Sequence, residues 1–228
     1  MMVDLNCDMG ELEDSAHEAA LMEHITSANI ACGAHAGDEE IMERTVRLAL
    51  ARGVHIGAHP GYPDRANFGR LEIPMTPEEI AQSVFEQIQR LEAVVRRAGG
   101  SVVHVKPHGA LYNVAVHNRD VAAAIGAGVA RWQRDRPIFG LASSPMLEVW
   151  REMNLPVAGE GFADRRYEPD GTLRSRKLEG ALITDPEEAS SQALRLARDP
   201  GVQTICVHGD TPGAVEILKA CHDSLARL

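Results

Sequence analysis

The 228-residue sequence contains no apolar run approaching the length of a membrane span, so no transmembrane segment is expected. Its start, MMVDLNCDMGE, shows neither a basic n-region nor an apolar h-region. A secretory signal is therefore not expected, and the cytoplasm is the expected location. CxxC pairs are also missing. The four cysteines (Cys7, Cys32, Cys206, Cys221) stand apart, three of them inside apolar strand-like segments, and read as buried free thiols in a reducing compartment. Positive charge is scarce: 33 acidic against 23 basic residues give a formal net charge of -10. Such a surface repels phosphate backbones and anionic lipid, which argues against nucleic-acid and membrane partners. Neither GxGxxG nor GxxxxGK[ST] occurs, so no glycine-rich phosphate loop is evident. Without HExxH or clustered ligand spacing, a metal site has to rest on dispersed residues. Repeats, low-complexity linkers and charge blocks are absent too. The chain reads as one domain over 1–228, with an excursion at about 161–176. There a Pro169-Asp170-Gly171 turn predicts a small hairpin or a loop over the site.

What is present is an alternation. Short β-branched runs at 3–7, 29–32, 54–58, 102–105, 138–141, 156–159 and 204–207 are separated by helical patterns. The helices are placed near 16–25, 39–52, 77–98, 117–133, 144–153, 186–198 and 213–227. This order predicts βα units around a parallel sheet. Thr76-Pro77-Glu78-Glu79 and Asp185-Pro186-Glu187-Glu188 each combine an N-cap side chain, a proline at the first helical position and a reciprocal glutamate. Ile80, Val84, Ile88, Leu91 and Val95 then lie on one helical stripe. About seven such units fit either an open doubly wound sheet or a closed barrel. With polar residues at nearly every strand end and no phosphate loop, the α/β class is read as a (β/α) TIM-like barrel, with its site in the loops after the strands.

Strand parity sharpens the site. In the first strand Val3, Leu5 and Cys7 share one face, leaving Asp4, Asn6 and Asp8 on the other. If the apolar face meets the helices, two carboxylates and an amide point into the barrel. The same parity groups His55, Gly57 and His59; His104, Lys106 and His108; and Thr204, Cys206, His208 and Asp210. His35 and Asp38 follow the second strand. So many ionisable groups in one interior require pairing, an ion or chemistry. Asp4 and Asn6 are the members that most readily serve as structural props.

Two chemistries suit this set. In one, an aspartate and histidines drawn from Asp8, His35, His59 and His108 hold a divalent metal that activates water. In the other, a carboxylate or histidine takes a proton from water while Lys106 steadies the oxyanion. Arg65 and Arg70, in HPGYPDRANFGR, are placed to hold a substrate carboxylate, or to pair with Asp64 and Glu72 as ordinary loop ion pairs.

The segments VDLNCDMGE, SANIACGAHAGDEEIM, GVHIGAHPGYPDRANFGR, VKPHGALYN, FADRRYEPDGTL and TICVHGDTPGAV are collinear and span almost the whole chain. Together they resemble the LamB/YcsF (lactam utilisation) family. The resemblance implies a barrel of the glycoside hydrolase/deacetylase type. It also implies an ATP-hydrolysing 5-oxoprolinase, opening 5-oxo-L-proline (pyroglutamate) to L-glutamate with ADP and phosphate as co-products. The partners implied are 5-oxoproline and two further subunits, B and C; a homo-oligomer is also compatible. The family's polar motif residues fall on Asp4, Asn6, Asp8, Glu11, His35, Asp38, His59, Lys106, His108, His208 and Asp210. From these, Asp8, His35, Asp38, His59, Lys106, His108, His208 and Asp210 are the catalytic candidates. Asn6 and Glu11 join Arg65 and Arg70 as substrate-binding candidates. The chain departs from the family pattern in a shorter loop after MGE, a shorter stretch before TICVHGD, and Cys7 where alanine is common. Two alternatives stand beside this reading: a metal-dependent carbohydrate or amide deacetylase acting without ATP, and a non-catalytic subunit that binds substrate for its partners.

Overall fold

In a computed structural model that describes residues 3–228, the alternation becomes seven parallel strands that close on themselves in sequence order, with the last hydrogen-bonded to the first. The strands are β1 (Asp4–Met9), β2 (Ser27–Ala31), β3 (His55–His59), β4 (Val102–Val105), β5 (Ile138–Leu141), β6 (Val157–Phe162) and β7 (Thr204–Cys206). Around them lie α1 (Ser15–Met22), α2 (Glu39–Arg52), α3 (Pro77–Arg97), α4 (Gly109–His117), α5 (Arg119–Trp132), α6 (Pro145–Glu152), α7 (Pro186–Leu196) and α8 (Ala214–Leu225). The expected (β/α) barrel is the observed one.

Local chemistry explains the boundaries. Thr76 and Glu79 form the reciprocal capping box at the start of α3, and the Asp185 side chain accepts from Glu188 N at the start of α7. Each such cap contributes about 1 kcal/mol. Outward-facing Leu5, Cys7, Ile30, Ile56, Val105 and Ile205 join Leu21, Val46, Ile88, Leu91, Ile125 and Ile217 in one continuous apolar layer between strands and helices. Burying each large aliphatic side chain of this kind contributes about 1.5–3 kcal/mol. All four cysteines are free and buried. Among the described residues no helix is long and apolar enough to cross a membrane.

Three differences from the sequence reading bear on the site. One extra helix, α4, precedes the expected one at 117–133, because Asn118 caps a fresh helix and splits the segment in two. Strand β6 runs on to Phe162, three residues beyond its expected end at 159, which brings Glu160 into the barrel. The excursion after β6 extends to Leu182: it is held by antiparallel bridges Tyr167–Leu173 and Arg165–Leu182, and Thr172, Leu173, Ser175, Arg176 and Lys177 wall the barrel mouth. It is both the small hairpin and the loop over the site.

Candidate active site

The barrel interior is polar from floor to mouth, as the parity of β1 requires. At the floor, Asp4 accepts hydrogen bonds from Thr26 and Ser27 at 2.6 Å and from Thr204. One layer up, the Asn6 amide donates to Glu160 Oε1 and Thr204 Oγ1, while its oxygen accepts from Asn29 Nδ2 at 2.7 Å and Lys106 Nζ at 3.2 Å. His104 closes the layer, with Nε2 2.8 Å from Asn29 Oδ1 and its ring stacked on Phe139. Gly57 is needed opposite this ring, since a Cβ there would collide with it. Burial drives the His104 pKa down to about 3, so this imidazole is neutral.

Above the floor sits an ion cluster. Lys106 Nζ lies 2.9 Å from Asp8 Oδ1, 3.0 Å from Glu160 Oε1 and 3.0 Å from Cys206 Sγ, with all four residues buried. Burial opposes the lysine charge, but Asp8, Cys206 and Glu160 outweigh it and hold Lys106 well above its ordinary value. Burial likewise opposes ionised Asp8, and His59 with Lys106 reverses that, holding the carboxyl well below the usual range. Both groups are charged, so Lys106 is a fixed cation and a poor base.

At the mouth, Glu11 and three histidines converge. Glu11 Oε1 lies 3.0 Å from His108 Nδ1, 3.1 Å from His35 Nε2 and 3.6 Å from His59 Nε2. The other nitrogens fix the tautomers. His59 Nδ1 is 2.7 Å from the Lys106 carbonyl and His108 Nε2 is 2.9 Å from the Phe68 carbonyl. A carbonyl only accepts, so each ring carries its proton there. His108 Nδ1 lies 2.9 Å from His59 Nε2 and 3.0 Å from Glu11 Oε1, a crowding that a proton on Nδ1 or a bound cation satisfies. Burial opposes that proton, and Glu11 outweighs it and raises the His108 pKa. Phe68, which supplies one of the carbonyls, stands in the left-handed region at φ 57°, as backbone strain at sites often does. Gly69 follows at φ 63°, where a Cβ would press 2.8 Å from that of His35.

A second constellation faces the same cavity. Asp164, wholly buried, accepts from His208 Nδ1 at 3.0 Å, from His208 N at 3.1 Å and from Thr211 Oγ1 at 2.6 Å. Burial works against its charge, yet His208 and these bonds hold the carboxyl below its usual value. With Nδ1–H given to Asp164, Nε2 of His208 offers its lone pair elsewhere. One ligand atom each from Asp8, Cys206 and His208 lies within 4.8 Å of the others. The cavity lined by Asp8, Glu11, His59, Lys106, His108 and His208 measures about 580 Å³.

The structure therefore brings together Asp8, Glu11, His35, His59, Lys106, His108 and His208, and places Asp210 and Arg70 at the rim as an ion pair. Asn6, expected to bind substrate, is instead fully buried below the cavity and bonded to Glu160, Thr204, Asn29 and Lys106 as a prop. Other expectations are corrected too. Asp38 is exposed and its side chain accepts from Ile41 N as the N-cap of α2, so it faces away from the cavity. Arg65 is also exposed and donates to the carbonyls of Gly33 and Gly37 at 3.2 and 2.6 Å, tying two loops together instead of meeting substrate. The carboxylate that joins the three histidines is Glu11, where the sequence reading had Asp8. Glu160, Asp164, Arg165 and Arg176 were missed. The parity of β6 finds Glu160 once the strand is extended, whereas no periodic signal marks the other three.

The model of the LamB/YcsF family matches residues 3–227. The 5-oxoprolinase A subunit from Chloroflexus aggregans is 46% identical over 240 residues, covering 99% of this chain and 95% of its own length. Its namesake from Pyrococcus furiosus is 46% identical over 95% of this chain and 91% of itself. The lactam utilization protein from Thermus thermophilus superposes with a TM-score of 0.89 at 38% identity, over 100% of this chain and 97% of that one. A T48 deacetylase shares the fold alone, with a TM-score of 0.52 at 14% identity over 99% of this chain and 85% of that one.

Proposed function

The chain belongs to the LamB/YcsF family, and from that premise we propose that it is the barrel subunit of an ATP-dependent 5-oxoprolinase. On this reading it opens 5-oxo-L-proline to L-glutamate in an assembly with B and C subunits. The observation that carries the chemistry is the cavity where a fixed cation, Lys106, and an aspartate-oriented imidazole, His208, meet in one buried space. That pairing suits water attack on a carbonyl-derived carbon.

A lactam carbonyl is a poor electrophile, which is why ATP is consumed. The sequence has no nucleotide loop, so we assign phosphoryl transfer to the assembled complex and ring opening to this barrel. Phosphorylation of the lactam oxygen makes the ring carbon electrophilic. His208 removes a proton from water as the water oxygen bonds to that carbon. Asp164 holds the ring in the reactive tautomer and balances the imidazolium. Attack sends the C=N π pair to nitrogen and leaves a tetrahedral carbon bearing hydroxyl, phosphate ester and nitrogen. The C–N bond then breaks with its electron pair going to nitrogen, which His208 protonates. Meanwhile the new hydroxyl loses its proton to solvent and becomes the acyl-phosphate carbonyl, Lys106 facing the charge on that oxygen. A second water hydrolyses the acyl phosphate left behind, releasing glutamate and phosphate.

A divalent metal fits the mouth. One ligand atom each from Glu11, His35, His59 and His108 lies within 4.8 Å of the others, and the 3.0–3.6 Å spacings from Glu11 to the histidine nitrogens resemble the separations between ligands around a four-coordinate ion. Glu11, His35, His59 and His108 would hold it, with the Lys106 and Phe68 carbonyls orienting two of the rings. When bound, such an ion supplies Lewis acidity and lowers the pKa of bound water. Zinc or cobalt titrated into chelator-treated protein is expected to bind near one equivalent and raise the unfolding temperature, and His108→Ala removes both responses. Equal uptake by the variant rejects the site.

The functional reading is tested by mixing the purified chain with its B and C partners, ATP and 5-oxoproline. Glutamate and ADP are expected in equal amounts, with no glutamate when this chain is omitted. Amide hydrolysis by the chain alone without ATP would favour the deacetylase reading instead.

A further inference from the structure

The cavity is bipolar, and its outer half is unlike the rest of the molecule. In a chain of net charge -10, Arg70, Lys106, Arg165, Arg176 and Lys177 line it against the carboxylates of Asp8, Glu11 and Asp210. The carboxylates near the rim are already engaged. Asp210 is shared between Arg70 and Arg176, and Asp164 serves His208 and Thr211. Arg165 has no such partner. It is 6% exposed, its Nη2 donates to the Arg174 carbonyl at 2.6 Å, and its Nε has no hydrogen-bond partner. A buried guanidinium that makes no ion pair, crowded by Arg176 and within only the longer reach of Asp164 and Asp210, is an expensive arrangement unless an anion arrives to meet it.

We propose that Arg165, backed by Arg176, forms an oxyanion-binding subsite at the barrel mouth that takes the negatively charged end of the substrate. The guanidinium fork matches a carboxylate or phosphate in two parallel hydrogen bonds. The excursion after β6 supplies both arginines, so the hairpin that walls the mouth also carries the recognition group. Arg176 lends its charge from the same side while staying paired to Asp210 at 3.0 Å. The reactive groups lie deeper, so an anion held at the rim leaves an uncharged ring directed at Lys106 and His208. This rests on the proposed 5-oxoprolinase reading for its choice of substrate. Two oxyanions meet the chemistry: the ring carboxylate of 5-oxoproline and the phosphate of an activated lactam.

The test is equilibrium binding to the purified full chain, followed by calorimetry and by shift of the unfolding temperature. The probes are 5-oxo-L-proline, neutral 2-pyrrolidinone and inorganic phosphate. Arg165→Met and Arg176→Gln are each expected to weaken oxyanion binding about tenfold, the loss of one charge-assisted interaction, and to leave 2-pyrrolidinone unchanged. Arg165→Lys keeps the charge without the fork and is expected to fall between wild type and Arg165→Met. Weakening confined to 5-oxoproline assigns the subsite to the ring carboxylate; weakening confined to phosphate assigns it to the phosphoryl group. If Arg165→Met does not fold, Arg176→Gln and Arg165→Lys carry the test. The proposal is overturned if wild type binds neither oxyanion better than 2-pyrrolidinone, or if the folded variants bind both oxyanions as wild type does. Because phosphate binding is read without turnover, the subsite can stand when the glutamate assay fails, and the two failures are told apart.

Discussion

The floor and the mouth of this barrel are both buried and both polar, yet they are bonded differently. At the floor Asp4, Asn6, Asn29, His104 and Thr204 form a connected network in which Asn6 makes four side-chain bonds. From the Lys106 layer to the mouth, Glu160 Oε2, His35 Nδ1 and Arg165 Nε are buried without partners, and His59 Nε2 and His108 Nδ1 approach to 2.9 Å. Each unsatisfied buried group costs about 1–3 kcal/mol. Polar burial alone therefore does not distinguish the two ends; incomplete polar burial does, and it is the ground on which the proposed site is placed at the mouth.

The largest effect that divides the two regions is expected from His108→Ala. Turnover in the reconstituted assay should fall about a thousandfold, the scale of losing a positioned group in a water-excluded site, while the unfolding temperature moves by less than about 3 °C. Asp164→Asn comes next. It keeps the shape but gives up the charge behind His208, and turnover is expected to drop about a hundredfold or more at nearly unchanged KM. Normal turnover in that variant removes His208 from the proton-transfer role. Asn29→Ala reverses the pattern. It leaves His104, Asn6 and Asp8 short of a partner, so denaturant unfolding should report a loss of about 2–3 kcal/mol. The molecules that remain folded should turn over within about threefold of wild type.

The smallest effect is a pH dependence seated in the floor. His104 has a folded pKa lowered to about 3 by burial, against about 6.5 when unfolded. Below pH 6.5 the unfolded chain takes up a proton that the folded chain refuses, so stability is complete above that value and falls as pH descends toward 3. At pH 5 the difference is about 2 kcal/mol. His104→Gln should flatten this part of the stability profile, measured by urea midpoints between pH 5 and 8. An unchanged slope would show that His104 does not hold a neutral ring in the fold.

Much of the floor was legible in the sequence, because a strand's period of two is enforced by the backbone. Once Leu5 and Cys7 face the helices, Asp4, Asn6 and Asp8 have nowhere to point but inward. The same rule reached His59, Lys106 and His108. It stopped at the β6 end, set at 159, and so lost Glu160 by a single residue. Asp164, Arg165 and Arg176 lie beyond the strand, where side-chain direction follows from turn geometry and from bonds to distant elements, such as Arg165 to the Arg174 carbonyl. Asp38 and Arg65 show the converse. Their residue types suited chemistry, but a helix needing an N-cap and two loops offering free carbonyls claimed them first. Glu11 sits after a glycine in a loop, and only the closed barrel reveals that it meets three histidines from separate loops and strands.

The most direct measurement is a paired one on His108→Ala and Asn29→Ala: ATP-coupled glutamate release with B and C partners, beside the free energy of unfolding of each purified chain. The account predicts that His108→Ala loses about a thousandfold in turnover with its stability nearly intact, and that Asn29→Ala loses stability with turnover per folded molecule nearly intact. Glutamate release that survives His108→Ala, or a mouth variant that unfolds as readily as the floor variant, would contradict the division of labour between the two ends of the barrel.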